Sequence, residues 1–179
     1  MDFGLSQDQR ELVASTERFA RAAVAAAPSR SDRDPDSLPR KTWDACAQFG
    51  LCGLTAPPEY EGAGHTLLDT VLILETLGRC GLDNGLLLSL NAHLWTAQTL
   101  TTFGSADQKS RVLSRLARGA WIGALAMTEP DSGSDAFALL TRAERVGDEW
   151  VLDGRKCFVT NGPVANALVV FARSPGSSG

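Results

Sequence analysis

The stretch Met127-Thr-Glu-Pro-Asp-Ser-Gly-Ser-Asp135 decides how the rest of this sequence is interpreted. A short apolar run, Trp121 to Met127, leads into it and is typical of a strand. The loop that follows is dense in small residues, hydroxyls and acids. Such a loop exposes backbone N–H groups and lets a planar ligand approach closely. A Gly/Ser loop after a strand is more often only a loop, so this motif needs support from elsewhere in the chain.

That support comes from a second stretch, Gly154-Arg-Lys-Cys-Phe-Val-Thr-Asn-Gly162. Asp153-Gly154 is a hairpin signal, and residues 157–160 have the β-branched and apolar character of a strand. On a strand, Phe158 and Thr160 point to the same face, because side chains alternate. An aromatic wall beside a hydrogen-bonding hydroxyl is what one side of a flavin ring requires. The alternative is a core phenylalanine and a solvated threonine.

On the N-terminal side of these stretches, the sequence is helical. Two capping boxes, Ser6–Gln9 and Ser105–Gln108, predict helix starts, and Arg40 to Phe49 is predicted to form another helix. Thr66 to Cys80 and Asn84 to Phe103 are apolar at helical spacing, and the second is apolar enough to lie centrally. The first carries an apolar stripe on one face, made of Leu67, Val71, Leu74 and Leu77 or Gly78.

The chain divides into three predicted parts. The first helix should end near Pro28, and the polar stretch 29–39 indicates a loop. After Gly119 the pattern changes to short strands and turns, at 139–146, 150–152, 157–160 and 167–172. We therefore expect an α+β fold: an all-α helical domain (1–119), an incomplete antiparallel β-barrel-like domain built from local hairpins (120–173), and a flexible tail (174–179).

Composition excludes several classes of protein. Of the 179 residues, 44% are hydrophobic and 21% charged, which is ordinary for a globular chain. The formal net charge of −4 offers no basic surface for nucleic acid. No apolar run approaches the ~20 residues of a membrane span, and the first residues lack a signal-peptide pattern. The sequence therefore predicts a soluble cytoplasmic protein without a membrane span.

Metal binding is not indicated. The four cysteines form no close C-x-x-C pair, and the two histidines, His65 and His93, lie near none of them in sequence. Four reduced thiols suit a cytosolic protein. We expect no zinc site.

Together, the two stretches and the helical part resemble the acyl-CoA dehydrogenase family of flavoenzymes over essentially the whole chain. The most specific signature is Thr128-Glu-Pro-(x)₂-Gly-Ser-Asp135, and the spacing to Lys156, Thr160-Asn161-Gly162 and Ala165-Asn166 also fits. Further resemblance lies in Leu5-Ser-Gln-Asp-Gln9, 53–64, Leu74-Glu75 and 103–109. The resemblance implies FAD as the cofactor and oxidation of the α,β bond of an acyl thioester as the reaction.

The resemblance also implies which residues hold the flavin and the substrate. Thr128 should bond the pyrimidine side of the ring, Thr160 should approach its reactive N5 edge, and Ser134 should contact the acyl thioester. Phe158 stands where the family often has Trp, which keeps an aromatic wall but removes an N–H donor. Leu125 stands where some members have Tyr. The implied flavin-binding residues are Leu125, Ala126, Met127, Thr128, Gly133, Ser134, Phe158, Val159 and Thr160; Ser134 is also the implied substrate-binding residue.

In that family, a carboxylate from a C-terminal helical bundle removes the α-proton while the β-hydrogen leaves as hydride to the flavin. Nothing in residues 1–179 corresponds to that C-terminal four-helix domain, so no catalytic residue is assigned and the isolated chain is expected to be inactive. The expected partners are acyl-CoA or an acyl-carrier-protein thioester, an electron-accepting flavoprotein, and further subunits of a homo- or hetero-oligomer.

Three alternatives stay open at this point. The protein could be a same-fold flavin oxidase or monooxygenase. It could be a subunit or fragment that needs a partner with the C-terminal domain. It could also be a non-catalytic relative that kept only the cradle for the cofactor.

Other polar residues are weaker candidates for chemistry. His93 lies on an apolar helix and is expected to be a core or ligand-lining residue rather than a base. Glu129 and Asp131 look like a general-base pair, but the family resemblance implies that these loop acids shape the cradle.

Overall fold

The computed structural model describes residues 4–26, 38, 40–81 and 83–176. Within them, the helices are α1 (Gln7–Ala26), α2 (Arg40–Phe49), α3 (Leu67–Arg79), α4 (Asn84–Phe103) and α5 (Ala106–Ala117). The strands are β1 (Gly123–Ala126), β2 (Arg142–Val146), β3 (Glu149–Asp153) and β4 (Ala167–Val170). The loop expected at 29–39 lies outside the described residues except for Leu38, and so does the end of the expected tail, 177–179.

Both predicted capping boxes are confirmed. The Gln9 N–H donates to Ser6 Oγ at 3.1 Å, and the Ser6 N–H donates to Gln9 Oε1 at 3.1 Å; residues 105–108 make the same pair of bonds. A third box joins Thr66 and Asp69 at the start of α3. The Gln9 side chain also donates to Asp69 Oδ1 at 3.1 Å, so the starts of α1 and α3 are tied together.

Helix α4 lies at the centre of the helical part, as its apolar sequence predicts. It contacts α3, α5, β1 and β4, and Leu86, Leu90 and Leu94 are buried on it. Trp43 of α2 is fully buried in the same cluster, and its indole N–H donates to the Gly119 carbonyl at 3.0 Å. A large apolar side chain contributes roughly 1.5–3 kcal/mol when it is fully buried. The apolar core therefore fixes α4, and α4 in turn positions β1.

Only part of the apolar stripe expected on α3 is buried: Leu77 is fully buried and Leu74 packs against the core. Leu67 and Val71 are 72% and 50% exposed, and the buried side chains are Thr70, Ile73, Thr76 and Leu77. The threonines can be buried because each hydroxyl donates to the carbonyl one turn earlier, at 3.0 and 2.7 Å. Leu67 and Val71 instead line an apolar groove of about 430 Å³ together with Trp95 of α4.

The β region is small and open, which confirms the expected fold class: helices first, then strands that do not close into a barrel. Strands β2 and β3 form an antiparallel hairpin. Strands β1 and β4 instead pair in parallel, with Gly123 opposite Ala167 and Ala126 opposite Val170. The expectation of local hairpins alone was therefore wrong for this pair. A parallel pair needs a long crossover connection, and the hairpin with its flanking loops supplies it.

Close packing between α4 and β1 explains the glycine that opens the strand. A Cβ built on Gly123 would lie 2.7 Å from the Thr96 Cβ, so a larger residue would force the helix and the strand apart. In the part of the chain that the structure describes, no helix is both long and apolar enough to cross a membrane.

Candidate functional site

The site is built on the edge of β1 that faces away from β4. The carbonyls of Ile122 and Ala126 accept hydrogen bonds from the β4 side of the sheet. Because backbone groups alternate along a strand, those of Gly123, Leu125 and Met127 point to the opposite edge. Leu125 and Met127, two of the flavin-binding residues implied by the family resemblance, thus direct their backbone groups to this second edge.

Hydrogen bonds with side chains hold both ends of that edge in place. At Gly123, the backbone N–H donates to His93 Nδ1 at 3.1 Å and the carbonyl accepts from Asn161 Nδ2 at 3.0 Å. At Met127, the carbonyl accepts from Lys156 Nζ at 2.9 Å. Leu125 lies between these two fastened points, with one backbone N–H and one C=O directed toward the same edge.

A buried ion pair holds the loop that follows β1. Lys156 Nζ lies 2.8 Å from Glu129 Oε1, and both side chains are largely buried. The carboxylate also accepts from the backbone N–H groups of Leu140, at 2.6 Å, and Thr141, at 2.9 Å. The hydrogen bond from Lys156, together with these bonds, lowers the pKa of Glu129 to about 2. A carboxylate with so low a pKa and with its oxygens engaged is a poor general base, and the contacts of Glu129 instead anchor this loop.

The loop 129–135 is compact and leaves its small residues open. The backbones of Glu129 and Ser132 exchange two hydrogen bonds around a tight turn, at 2.8 and 3.3 Å, and Ser132 Oγ donates to the Asp135 carbonyl at 2.6 Å. Gly133 and Ser134 are exposed. A Cβ built on Gly133 meets nothing within 4 Å, so space is free beside this part of the loop.

The strand predicted over residues 157–160 does not form, and the shared-face argument for Phe158 and Thr160 was therefore wrong. Phe158 adopts a left-handed backbone conformation with φ of 54°, which is a genuine outlier for a bulky residue. The segment turns there because both sides of it are fixed. The Cys157 N–H donates to the Thr128 carbonyl at 2.9 Å, and Asn161 is anchored on β1.

The turn places Phe158 outside the core, with 92% of its surface exposed. This also rules out the alternative of a core phenylalanine. Phe158, Val159 and Thr160 line one side of a cleft of about 590 Å³, and Leu88 and Ser89 of α4 line the other. An exposed aromatic ring beside a partly buried hydroxyl thus persists, although a tight turn produces it rather than a strand.

The structure brings most of the predicted flavin-binding residues together. Residues 125–128 and 158–160 are joined by the Cys157–Thr128 bond and by the Asn161–Gly123 bond. Ala126 is the exception in its own stretch, because it is 1% exposed and its side chain belongs to the core. Gly133 and Ser134 lie farther along the same loop, on its exposed side.

His93 is a core residue, as its place on an apolar helix predicts, and has no free nitrogen to offer as a base. It is fully buried; Nδ1 accepts from Gly123 and Nε2 lies 3.1 Å from the Cys52 carbonyl. These partners require a neutral ring with its proton on Nε2. Burial lowers the pKa of His93 to about 4, which keeps the ring neutral.

Sequence reasoning missed two residues that organise this site. Lys156 and Asn161 were noted only for their spacing, yet each joins two separate parts of the chain. A signal was available for Asn161, since asparagine tolerates a left-handed backbone and often marks such a turn. None was available for Lys156, because its partner Glu129 lies 27 positions earlier.

Known proteins are similar to this chain in sequence and in fold. The family model for the N-terminal domain of acyl-CoA dehydrogenase matches residues 6–120, and the model for the middle domain matches residues 124–179. The mitochondrial isovaleryl-CoA dehydrogenase of Pongo abelii is 36% identical over 172 residues, which cover 96% of this chain and 40% of the relative.

Solved structures agree with these matches. The FAD complex of PigA superposes with a TM-score of 0.87 at 33% identity, covering 100% of this chain and 47% of that one. The prolyl acyl carrier protein oxidase AnaB superposes with a TM-score of 0.81 at 35% identity, covering 94% and 45%. This chain thus spans less than half the length of the proteins it matches. On both sequence and structure, the chain belongs to the acyl-CoA dehydrogenase family.

Proposed function

We propose that this chain supplies the FAD cradle and part of the acyl site of an enzyme that introduces an α,β double bond into an acyl thioester. The observation that carries the proposal is the edge of β1, which is fastened at Gly123 and Met127 and left open to a ligand at Leu125. Two stretches distant in sequence, 125–128 and 158–160, meet at this edge.

The residues at this edge fit a flavin. An isoalloxazine ring carries imide-like N–H and C=O groups, and a strand edge with one N–H and one C=O can pair with them. Phe158 offers an exposed aromatic face and Thr160 a hydroxyl beside it. Thr128 adds a second hydroxyl at the end of the strand. The chemistry that FAD supplies when bound is two-electron acceptance, which the removal of two hydrogens from an acyl chain requires.

The chain's own role in the reaction is to bind and orient. Ser134, on the exposed side of the loop, is proposed to contact the acyl thioester. Hydrogen bonds to the thioester carbonyl acidify the α-carbon, because they stabilise the charge that develops on the oxygen. We assign no base to the chain: Glu129 is engaged by Lys156 and two backbone amides, and both nitrogens of His93 are occupied.

The proposed partners follow from this chemistry. The acyl group is carried by coenzyme A or by the pantetheine arm of a carrier protein, since both present the same thioester. The similarity to a CoA-dependent dehydrogenase and to a carrier-protein oxidase supports both carriers. We further propose that an electron-accepting flavoprotein reoxidises the cofactor and that the protein works as an oligomer. The four unpaired cysteines suit a reducing compartment such as the cytoplasm.

The test is to add FAD to the whole protein and to follow the flavin absorbance, first alone and then with acyl-CoA and acyl-carrier-protein substrates without oxygen. We expect bound FAD to be bleached by one class of thioester, with formation of the α,β-unsaturated product. Failure to bind FAD would refute the proposal outright. FAD that stays oxidised with every thioester would favour the alternative of a non-catalytic relative.

A second candidate function is an oxidase that returns the electrons to oxygen. The similarity to the prolyl acyl carrier protein oxidase favours it. Stopped-flow mixing of the substrate-reduced protein with aerated buffer separates the two functions. Reoxidation within the turnover time indicates an oxidase, and slow reoxidation that an electron-accepting flavoprotein accelerates indicates a dehydrogenase.

A further inference from the structure

The Asn161 side chain joins three elements at the back of the cradle. Its Nδ2 donates to the Ser89 carbonyl on α4 at 2.9 Å and to the Gly123 carbonyl on β1 at 3.0 Å. Asn161 itself belongs to the turn that carries Thr160 and Phe158. One carboxamide therefore links the central helix, the first strand and the turn beside the cleft.

The chemistry of this position is specific for asparagine. Both partners are carbonyls, so the side chain must act as a double donor, which a carboxylate cannot do. The backbone is left-handed, with φ of 66°, a conformation that asparagine tolerates and most residues avoid. The residue is 9% exposed, so two carbonyls would be left unsatisfied in a buried place if the donor were lost.

Gly123 is held by two side chains, those of Asn161 and His93. Its carbonyl accepts from Asn161 and its N–H donates to His93 Nδ1. Both polar groups of the strand residue are therefore fixed by side chains rather than by a neighbouring strand. Because Thr160 directly precedes Asn161, the same bonds set how far Thr160 stands from the open edge of β1.

Asn166, which immediately precedes β4, provides a natural contrast. Its Oδ1 accepts from the Ile122 N–H at 3.0 Å. Asn166 is used as an acceptor and Asn161 as a donor, and their partners, Ile122 and Gly123, are neighbours in the chain. A change from amide to carboxylate adds one negative charge near the start of β1 in both cases, but it removes hydrogen bonds and buries the charge only at position 161, since Asn166 is exposed.

We propose that Asn161 is a positioning residue that holds Thr160 against the open edge of β1 and so sets the geometry of the flavin site. The effect on the flavin rests on the proposed function. The link that Asn161 makes between α4, β1 and the turn, which we call the brace, rests on its two hydrogen bonds alone. Two readouts separate these parts.

The first readout needs no cofactor. Amide hydrogen exchange is measured in the FAD-free protein for wild type, N161D and N166D. The amides of Cys157 and Gly162 are the reporters, because the first donates to the Thr128 carbonyl and the second donates across the turn to the Val159 carbonyl, both at 2.9 Å. We expect exchange at least about tenfold faster in N161D and unchanged in N166D. Equal exchange in both variants would overturn the brace.

The second readout is the bound flavin. In the FAD-loaded whole protein, N161D and N161G are expected to bind FAD about tenfold more weakly and to shift the flavin absorption bands, while N166D matches wild type. N161G keeps the left-handed backbone without adding charge, so it decides the outcome if N161D fails to fold. Wild-type affinity and wild-type bands in N161G would overturn the positioning role. If wild type itself binds no FAD, the proposed function fails, and the exchange comparison alone decides whether Asn161 positions the turn.

Discussion

The helical part and the β region of this chain are held together by different interactions. Among the described residues, the buried apolar side chains run from Ala20 to Ala126. Beyond Ala126, the buried side chains are polar: Glu129, Ser132, Thr141 and Asn161. The same region exposes large apolar residues, namely Phe137, Leu140, Val146, Trp150, Val151, Leu152, Phe158 and Leu168.

This difference shows how the cradle gains its shape. Apolar burial is strong but non-directional, and it gives the helical part its stability. Buried hydrogen bonds contribute little net energy each, yet they are costly to leave unmade and fix one arrangement. The β region therefore takes its stability from packing on α4 and its geometry from a few polar side chains.

The largest effect is expected from truncating a leucine to alanine, and its size should differ between the two regions. Leu90→Ala removes a fully buried side chain of α4 and should lower the free energy of unfolding by about 2–5 kcal/mol. Leu152→Ala removes a side chain that is half exposed on the hairpin and should change it by about 0.5 kcal/mol or less. Urea unfolding of the two variants measures both values, and similar losses would contradict the comparison.

As the pH falls, the contribution of His93 in the helical part to the free energy of unfolding should be lost at a higher pH than that of Glu129 in the β region. His93 has a folded pKa of about 4, below its ordinary value of 6.5. Between these values the unfolded chain binds a proton that the folded chain does not, so stability falls as the pH drops. The slope reaches about 1.4 kcal/mol per pH unit, which amounts to about 3 kcal/mol over the window. Urea unfolding at several pH values measures this slope.

Glu129 affects stability in a lower pH range, because its folded pKa of about 2 lies below the ordinary value of 4.5. Its contribution is fully present above about 4.5 and is lost as the pH falls toward 2. His93→Gln should flatten the upper window and leave the lower one unchanged. A wild-type slope in the upper window of this variant would mean that another group titrates there.

Removing one partner of the buried Lys156–Glu129 ion pair should cost more stability than removing both. Lys156→Met leaves the Glu129 carboxylate buried without its cation. The free energy of unfolding should therefore fall, and the backbone amides of the loop after Thr128 should lose protection from hydrogen exchange. Lys156→Met combined with Glu129→Gln removes both charges and should recover part of that loss. A double-mutant cycle measured by urea unfolding gives the coupling. A double variant no more stable than Lys156→Met alone would argue against the pair.

The smallest effect expected at the proposed flavin site is at Phe158. Its left-handed backbone costs a bulky residue about 1–2 kcal/mol, and glycine relieves most of this at some cost in chain entropy. Phe158→Gly should therefore stabilise the FAD-free protein by about 0.5–1 kcal/mol, seen in urea unfolding, and weaken FAD binding because the aromatic face is lost. Stabilisation without weaker FAD binding would remove Phe158 from the flavin site.

Local signals in the sequence predicted most of the helical part. The capping boxes at Ser6 and Ser105 and the bounds of α2 followed from residues within a few positions of one another. The central place of α4 followed from its apolar composition. The buried face of α3 followed only in part: Leu77 is buried as expected, but Thr70 and Thr76 are buried as well, because their hydroxyls are satisfied inside the helix.

Sequence motifs also singled out two stretches that meet in the structure, but they did not predict the backbone conformation of the second. The loop after β1 and the segment 154–162 were identified, but a strand was expected where Phe158 turns. A strand pattern depends on neighbours along the chain, whereas this turn is imposed from outside by Thr128, Gly123 and Ser89.

The sequence by itself determined the helices, the family and the two stretches that form the cradle, because each of these is encoded in short-range patterns. Only the tertiary structure decided the parallel pairing of β1 with β4, the left-handed turn at Phe158, and the roles of Lys156 and Asn161. All of these join residues that are tens of positions apart. Their bonds exist only once the apolar core around α4 has brought those residues together.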